Sequence, residues 1–246
     1  MRRRALIVGF ALVMASACRT AHLSSSRSAP ILLYAGRGTS PGDVAALETV
    51  LDRSGLAYST VDSWGLNWTP ESEIERYRLL LFPGGNFESM GRGLTTGATA
   101  NIRRAVQHGV NYLGICAGAF LAGNSPYNGL NLTSGVAFGF YSAEAQGIRK
   151  AAVSIASPGG QTLDQYWEDG PQLSGWGAVV AKYPDETPAV VEGAYGRGWV
   201  ILSGVHPEAQ DGWRGGLTFR TSTGDDNAFA AVLIRAALNR ETLPHY

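Results

Sequence analysis

Residues 111–123, NYLGICAGAFLAG, predict the turn around which the fold is organised. An apolar run leads into Gly-Ile-Cys-Ala-Gly, and small and apolar residues of helical character follow. Gly114 and Gly118 leave space where a strand turns sharply into a helix. Cys116 then lies at the turn, where backbone N–H groups favour a thiolate. This is the pattern of a nucleophile elbow with Cys in place of Ser, although a small buried cysteine in a strand–helix unit has the same residues.

Strands of continuous apolar character alternate with helices around this turn. We predict strands at 31–35, 56–61, 79–82 and 110–115, and helices at 43–54, 71–77 and 99–108. This alternation favours an α/β fold with a parallel sheet covered on both faces. Beyond residue 123, Gly, Ser, Asn and aromatic residues predict short β segments and loops. We then predict strands at 179–182, 189–192 and 199–203, and an amphipathic helix at 227–240.

Composition limits the domain count and the class of partner. The chain has 246 residues, of which 45% are hydrophobic, enough for one sizeable domain. Lys+Arg and Asp+Glu balance at 20 each, so the composition lacks the excess of basic residues that is typical of nucleic-acid-binding proteins. The turn Gly36-Arg37-Gly38 fits neither a dinucleotide nor a P-loop spacing. No Cys/His group has metal-ligand spacing, and we expect neither a cofactor nor a metal.

The N-terminal residues predict export. Three arginines, an apolar run at 5–14 and Ala-Ser-Ala precede Cys18, which is typical of a signal peptide. A Cys at this place resembles a bacterial lipobox, although Ala15 stands where Leu is usual. We expect a cell-envelope lipoprotein, periplasmic or anchored to the membrane through a lipid on Cys18; plain cleavage and a cytoplasmic protein with an apolar helix are the alternatives. The predicted division is a signal peptide at 1–18, a polar tether at 19–30, a folded domain at 31–240 and a tail at 241–246.

A histidine follows the predicted strand 199–203, in Ser-Gly-Val-His-Pro-Glu. Loops after parallel strands gather at the carboxyl edge of a sheet, so His206 can meet Cys116. Histidine is the usual base for a thiol, and Glu208 can accept a hydrogen bond from its other ring nitrogen. One histidine after a strand is by itself more often an ordinary loop residue. Together with the elbow, it favours a Cys–His–Glu triad.

These residues carry a resemblance to a known group of proteins. Gly-Ile-Cys-Ala-Gly at 114–118, with His206-Pro207-Glu208, resembles the class I glutamine amidotransferase superfamily. The stretches GICAGAFLA and LFPGG, and Tyr-Trp-Glu-Asp-Gly-Pro at 166–171, are similar to the biotin-protein ligase N-terminal domain family. The resemblance implies a flavodoxin-like, doubly wound, mostly parallel sheet with a small β-rich insertion after the elbow.

The same resemblance implies roles for individual residues. Cys116 would be the nucleophile, His206 the general base and acid, and Glu208 the group that orients His206. The N–H groups of Ala117 and of either Gly85 or Asn86 would stabilise the developing oxyanion.

Further residues are candidates for a substrate pocket. Glu88 follows the Gly-Gly turn and is expected near the same edge, unless it is a solvated loop carboxylate. Tyr166 and Trp167 lie beside two carboxylates in a predicted loop, as a lid, a specificity wall or local packing. Asp211, with Trp213, follows the His206 motif closely enough to line the same pocket.

The surroundings of the motif narrow the expected chemistry. No ligase or synthetase domain follows it, so we do not expect this chain to be a biotin ligase by itself. An exported amidotransferase would lack ATP, so we expect hydrolysis of a small-molecule or peptide amide through a thioester. A non-catalytic binding module of the cell envelope that retains the triad is the alternative. A redox role is a third possibility, but it lacks a resolving cysteine.

Overall fold

The structure is a computed structural model that describes residues 29–246. The predicted signal peptide, the lipidation site Cys18 and most of the predicted tether lie outside the described residues. Among residues 29–246, no helix has both the length and the apolar character needed to cross a membrane.

Eleven strands and seven helices organise the described part of the chain. The strands are β1 (Ile31–Tyr34), β2 (Tyr58–Val61), β3 (Leu79–Phe82), β4 (Asn111–Ile115), β5 (Gly139–Phe140), β6 (Lys150–Ala156), β7 (Thr162–Glu168), β8 (Pro171–Gln172), β9 (Ala178–Lys182), β10 (Pro188–Tyr195) and β11 (Gly198–Ser203). The helices are α1 (Pro41–Arg53), α2 (Ser63–Trp68), α3 (Glu71–Ile74), α4 (Phe87–Gly93), α5 (Thr96–His108), α6 (Ala117–Ala122) and α7 (Thr223–Asn239).

Nine strands form one sheet in the order β2-β1-β3-β4-β11-β10-β9-β6-β7. The first five are parallel to one another. Their order is that of a flavodoxin-like sheet, with β11 as the fifth strand. The predicted α/β class with a mostly parallel core sheet is therefore confirmed.

The parallel strands are apolar throughout because both faces of the sheet are covered. Alternate side chains of a strand point to opposite faces. Ile31 and Leu33 of β1 pack in the core that includes α1 and α7, whereas Leu32 and Tyr34 pack in the core that includes α5 and α6. Both cores are fully buried at their centres.

The β-rich segment after the elbow extends the main sheet. Strands β6, β7, β9 and β10 add to β11 in antiparallel pairs, and only β5 and β8 form a small separate sheet. The expectation of a loop at Tyr166 was wrong, since this residue lies in β7. The apolar pattern of β7 is interrupted by Asp164 and Gln165, which are buried because Arg220 and Asp226 pair with them.

Candidate active site

The link between β4 and α6 is a sharp turn at Cys116. This residue has φ 48° and ψ −104°, a backbone conformation that residues other than glycine rarely adopt. Its N–H donates to the carbonyl oxygen of Ser203 at 2.7 Å, which ties the turn to the end of β11. The backbone therefore holds the Cys116 side chain at the carboxyl edge of the sheet.

The two glycines that flank the turn are required by close packing. A Cβ atom on Gly114 would lie 2.5 Å from the carbonyl oxygen of Gly118. A Cβ atom on Gly118 would overlap the carbonyl oxygen of Phe82 at the end of β3. The Gly-x-Cys-x-Gly spacing thus lets helix α6 begin directly after β4 and pack closely against the ends of β4 and β3.

His206 is placed at the same edge by the chain that follows β11. Its N–H donates to the Tyr166 carbonyl oxygen at 2.8 Å, so β7 supports it from the side. Its Nδ1 lies 3.0 Å from Glu208 Oε1, and both side chains are buried. The structure thus brings Cys116, His206 and Glu208 to one edge.

A second carboxylate, absent from the sequence-based prediction, also faces His206. Asp43 Oδ1 lies 3.1 Å from His206 Nδ1, although the angle is not that of a hydrogen bond. Asp43 sits in the first turn of α1, which begins after the Ser40 N-cap. The sequence does indicate this location, because the turn after β1, which leads to Asp43, lies at the same sheet edge as the turns after β3 and β4.

Charge around the imidazole favours its protonated form. Burial alone lowers the pKa of His206, but the charges of Cys116 and Glu208 and the contact with Asp43 outweigh burial and hold this pKa well above its usual range. Burial raises the pKa of Glu208, and His206 partly offsets the rise. Burial also opposes ionisation of Asp43, but contacts with His206 and Ser40 lower its pKa overall.

The other ring nitrogen faces no protein partner. His206 Nε2 is buried, and within residues 29–246 it has no hydrogen-bond partner. The Cys116 thiol donates to the Glu168 carbonyl oxygen at 3.5 Å instead. Catalytic hydrogen bonds are often loose without a substrate.

Two backbone N–H groups at the site remain available. Those of Ala117 and Gly85 have no acceptor among the hydrogen bonds of the described residues. Asn86 differs, because its N–H donates to the Gly38 carbonyl oxygen at 2.7 Å and its side chain caps α4. Of the two alternatives expected from sequence, Gly85 is thus the one with a free donor.

A cavity of about 340 Å³ opens over these groups. It is lined by the main groups of the site and by an aromatic wall: Ser40, Asp43, Gly85, Asn86, Phe87, Cys116, Ala117, Phe120, Phe140, Glu168, Asp169 and His206. A second cavity of about 290 Å³ adjoins it, shares Asp43, Glu168 and His206, and is also lined by Lys150, Tyr166 and Trp213. The two cavities therefore meet beside His206.

The remaining predicted pocket residues divide into two groups. Tyr166 lies beside His206, with ring centres 5.8 Å apart, and its hydroxyl donates to Glu168 Oε2 at 2.6 Å. Trp167, in contrast, is fully buried and donates to the Gly170 carbonyl oxygen. Glu88 pairs with Arg92 on α4, and Asp211 accepts from Thr223. Among the described residues that line the two cavities, Trp167, Glu88 and Asp211 are absent.

One group of polar atoms at this edge of the sheet resembles a metal site. Ligand atoms of Asp43, His206 and Glu208 lie within 4.8 Å of one another. Both carboxylates, however, approach the same Nδ1. Nδ1 is hydrogen-bonded to Glu208, and with its proton donated there that nitrogen is not free to bind a metal.

Comparison with protein families confirms the resemblance inferred from sequence. Residues 29–147 match the family model described as biotin-protein ligase, N terminal. The match includes Cys116 and Gly85 and ends before β7 and His206. No curated protein sequence matches the chain.

Solved structures share the fold at low sequence identity. A glutamine amidotransferase is 19% identical, with a TM-score of 0.59, over 85% of this chain and 98% of that one. PurLQS from Thermotoga maritima is 18% identical, with a TM-score of 0.54, over 84% and 99%. The exo-beta-1,4-mannosidase Op5Man5 from Opitutaceae bacterium strain TAV5 is 14% identical, with a TM-score of 0.54, over 84% of this chain and 36% of that one. The chain therefore shares its fold with these proteins, among them a glutamine amidotransferase, and identities this low establish the fold alone.

Proposed function

We propose that this glutamine amidotransferase-like domain is a thiol-dependent hydrolase of an amide or peptide bond. The observation that carries the proposal is the strained turn at Cys116, which holds a thiol in the same cavity as an unpartnered His206 Nε2. Backbone strain of this kind is concentrated at functional sites. A structural cysteine would not require it.

Each group has a defined task in the proposed reaction. His206 Nε2 takes the proton of the Cys116 thiol, and the sulfur attacks the carbonyl carbon to form a C–S bond. The N–H groups of Gly85 and Ala117 stabilise the oxyanion. As the C–N bond breaks, His206 returns the proton to the leaving amine. Glu208 holds the imidazole in the orientation and tautomer that this transfer needs.

Water completes the cycle. His206 removes a proton from a water molecule, and the resulting hydroxide attacks the thioester carbonyl. The C–S bond then breaks to release the acid, and His206 returns the proton to the Cys116 sulfur. Water is the acyl acceptor in this proposal. Asp43 supports the positive imidazolium through its contact with Nδ1.

The experiment is turnover of a panel of amino-acid and peptide p-nitroanilides by the wild type and two variants. We expect Cys116→Ser and His206→Ala to lose release of p-nitroaniline while their unfolding temperatures stay close to that of the wild type. Unchanged turnover in both variants would contradict the proposal.

A specific observation favours a second candidate, a non-catalytic binding module. The Cys116 thiol points to the Glu168 carbonyl oxygen and does not hydrogen-bond to His206. Alkylation with iodoacetamide separates the two functions. A thiol that reacts well below pH 8.5, where ordinary cysteines ionise, supports the hydrolase. A thiol that is inert in the folded protein supports the binding module.

We propose, on sequence grounds alone, that the protein is exported and lipidated at Cys18. The charged start, the apolar run and the small residues before Cys18 support this proposal. Metabolic labelling of the full chain with a palmitate analogue tests it. Cys18→Ser is expected to abolish the label, and an unlabelled wild type would contradict lipidation.

A further inference from the structure

The cavity above Cys116 has an aromatic wall that the proposed reaction does not use. Phe87 stacks on Phe120 with ring centres 4.6 Å apart. Phe140, from β5, meets Phe120 edge-on at 5.0 Å and is 44% exposed. An exposed ring that continues a buried aromatic cluster offers an apolar surface to a ligand side chain.

The opposite part of the cavity is acidic. Glu168 and Asp169 line it beside Asp43, and neither Lys nor Arg occurs among the described residues that line it. Arg149, which lies outside the lining, approaches Asp169 at 3.4 Å but is mostly exposed. Glu168 accepts only a neutral donor, the hydroxyl of Tyr166. Among these carboxylates of the described chain, Asp43 approaches His206 and Asp169 approaches Arg149, so Glu168 is the one without a cation in contact.

An unused acceptor also points to a ligand. Asp43 is 6% exposed, and its Oδ1 has no hydrogen-bond donor within the described chain. Leaving a buried charged acceptor unsatisfied is costly. A ligand that brings N–H donors and a positive charge would satisfy it.

We infer that this cavity binds an amine-bearing residue with an aromatic or large apolar side chain, as the acyl part of the substrate. This inference rests on the proposed role of Cys116. The ammonium group would lie near Glu168 and Asp43, and the side chain would lie against the phenylalanines. The scissile carbonyl would then lie between Cys116 and the free N–H groups.

The size of the cavity limits the ligand. At about 340 Å³, it is near the lower end of small-molecule pockets, which span roughly 300–1,000 Å³. This space suits one amino-acid residue. The substrate class is therefore the amide of an aromatic or large apolar amino acid with a free α-amino group, including the first residue of a peptide.

Calorimetric binding of phenylalaninol tests the inference on the wild-type protein, because this probe has no amide to hydrolyse. Two matched probes each remove one feature: N-acetylphenylalaninol lacks the positive charge, and alaninol lacks the ring. We expect phenylalaninol to bind at least tenfold more tightly than either. Equal affinity for phenylalaninol and its N-acetyl derivative, or no binding at millimolar concentration, would overturn the inference.

A pair of variants locates the ammonium site. Glu168→Gln is expected to weaken phenylalaninol binding at least tenfold, because it removes the charge with little change of shape. Glu88→Gln is the control, since Glu88 pairs with Arg92 outside the cavity, and it should bind as the wild type does. Equal affinities of the two variants would contradict the assignment. Because binding needs no thiol chemistry, an inert Cys116 would defeat the proposed hydrolase without deciding this test.

Discussion

Backbone strain at Cys116 should reverse the usual stability order of glycine and alanine. A non-glycine residue in a rarely populated conformation costs about 1–3 kcal/mol, and Cys116 has φ 48° and ψ −104°. At an unstrained position, alanine is more stable than glycine by about 0.4–1 kcal/mol, because it restricts the unfolded chain. At position 116 the energetic cost of the strained backbone is larger than this advantage of alanine. We predict that Cys116→Gly is more stable than Cys116→Ala by about 1 kcal/mol.

Urea unfolding followed by circular dichroism measures this difference directly. A difference of about 1 kcal/mol corresponds to roughly 2–4 °C in unfolding temperature for a domain of 150–250 residues. The control is Ala119→Gly, in α6 and fully buried, where glycine should destabilise by about 1 kcal/mol. The opposite order would contradict the prediction. If Cys116→Ala were more stable than Cys116→Gly by the amount that separates alanine from glycine in an ordinary helix, the turn would not be strained.

Three further predictions concern the surroundings of the site. Gly118→Ala should destabilise the protein by about 1–3 kcal/mol through overpacking, whereas Gly212→Ala, with open space around its Cβ, should be nearly neutral by the same urea assay. Gly84→Ala would place a Cβ 2.5 Å from His206 Cε1, so it should lower kcat on any p-nitroanilide that the wild type hydrolyses; an unchanged kcat would refute the packing around the imidazole. Burial raises the pKa of Asp226 from 3.8 to about 6, so the folded state holds this proton more tightly than the unfolded chain does. Stability contributed by the group should fall by up to about 3 kcal/mol between pH 4 and 6, and Asp226→Asn should remove that slope in urea titrations.

The parallel half of the fold could be predicted because its signals are local. Strands β1, β3 and β4 are mainly apolar runs, and Gly114 and Gly118 mark the turn from β4 into α6. Since each such strand ends at the same edge, the meeting of Cys116 with the residues after β11 follows from topology alone. The antiparallel strands were harder to predict from the sequence. In β7, Asp164 and Gln165 break the apolar pattern, and the partners that make their burial possible come from more than 50 residues further along the chain.

The site could be predicted only in part, for a similar reason. Glu208 was found because it is two residues from His206. Asp43 reaches the same nitrogen from a distant helix, and its position in the first helical turn has the ordinary explanation of a favourable helix dipole. The aromatic wall depends on Phe140 of the small β5–β8 sheet, whose place in space no local pattern indicates. Trp167 looked like a pocket residue, but the alternation along β7 turns its side chain into the core.

The most direct test of the central claim is the alkylation rate of Cys116 in the folded protein. Iodoacetamide is added between pH 6 and 9, and modification at Cys116 is followed by mass spectrometry in the wild type and in His206→Asn. The account predicts rapid modification of the wild type well below pH 8.5 and a rate at least tenfold lower in the variant. Equal rates in the two proteins, or a Cys116 that reacts only after unfolding, would contradict the claim that His206 activates this thiol.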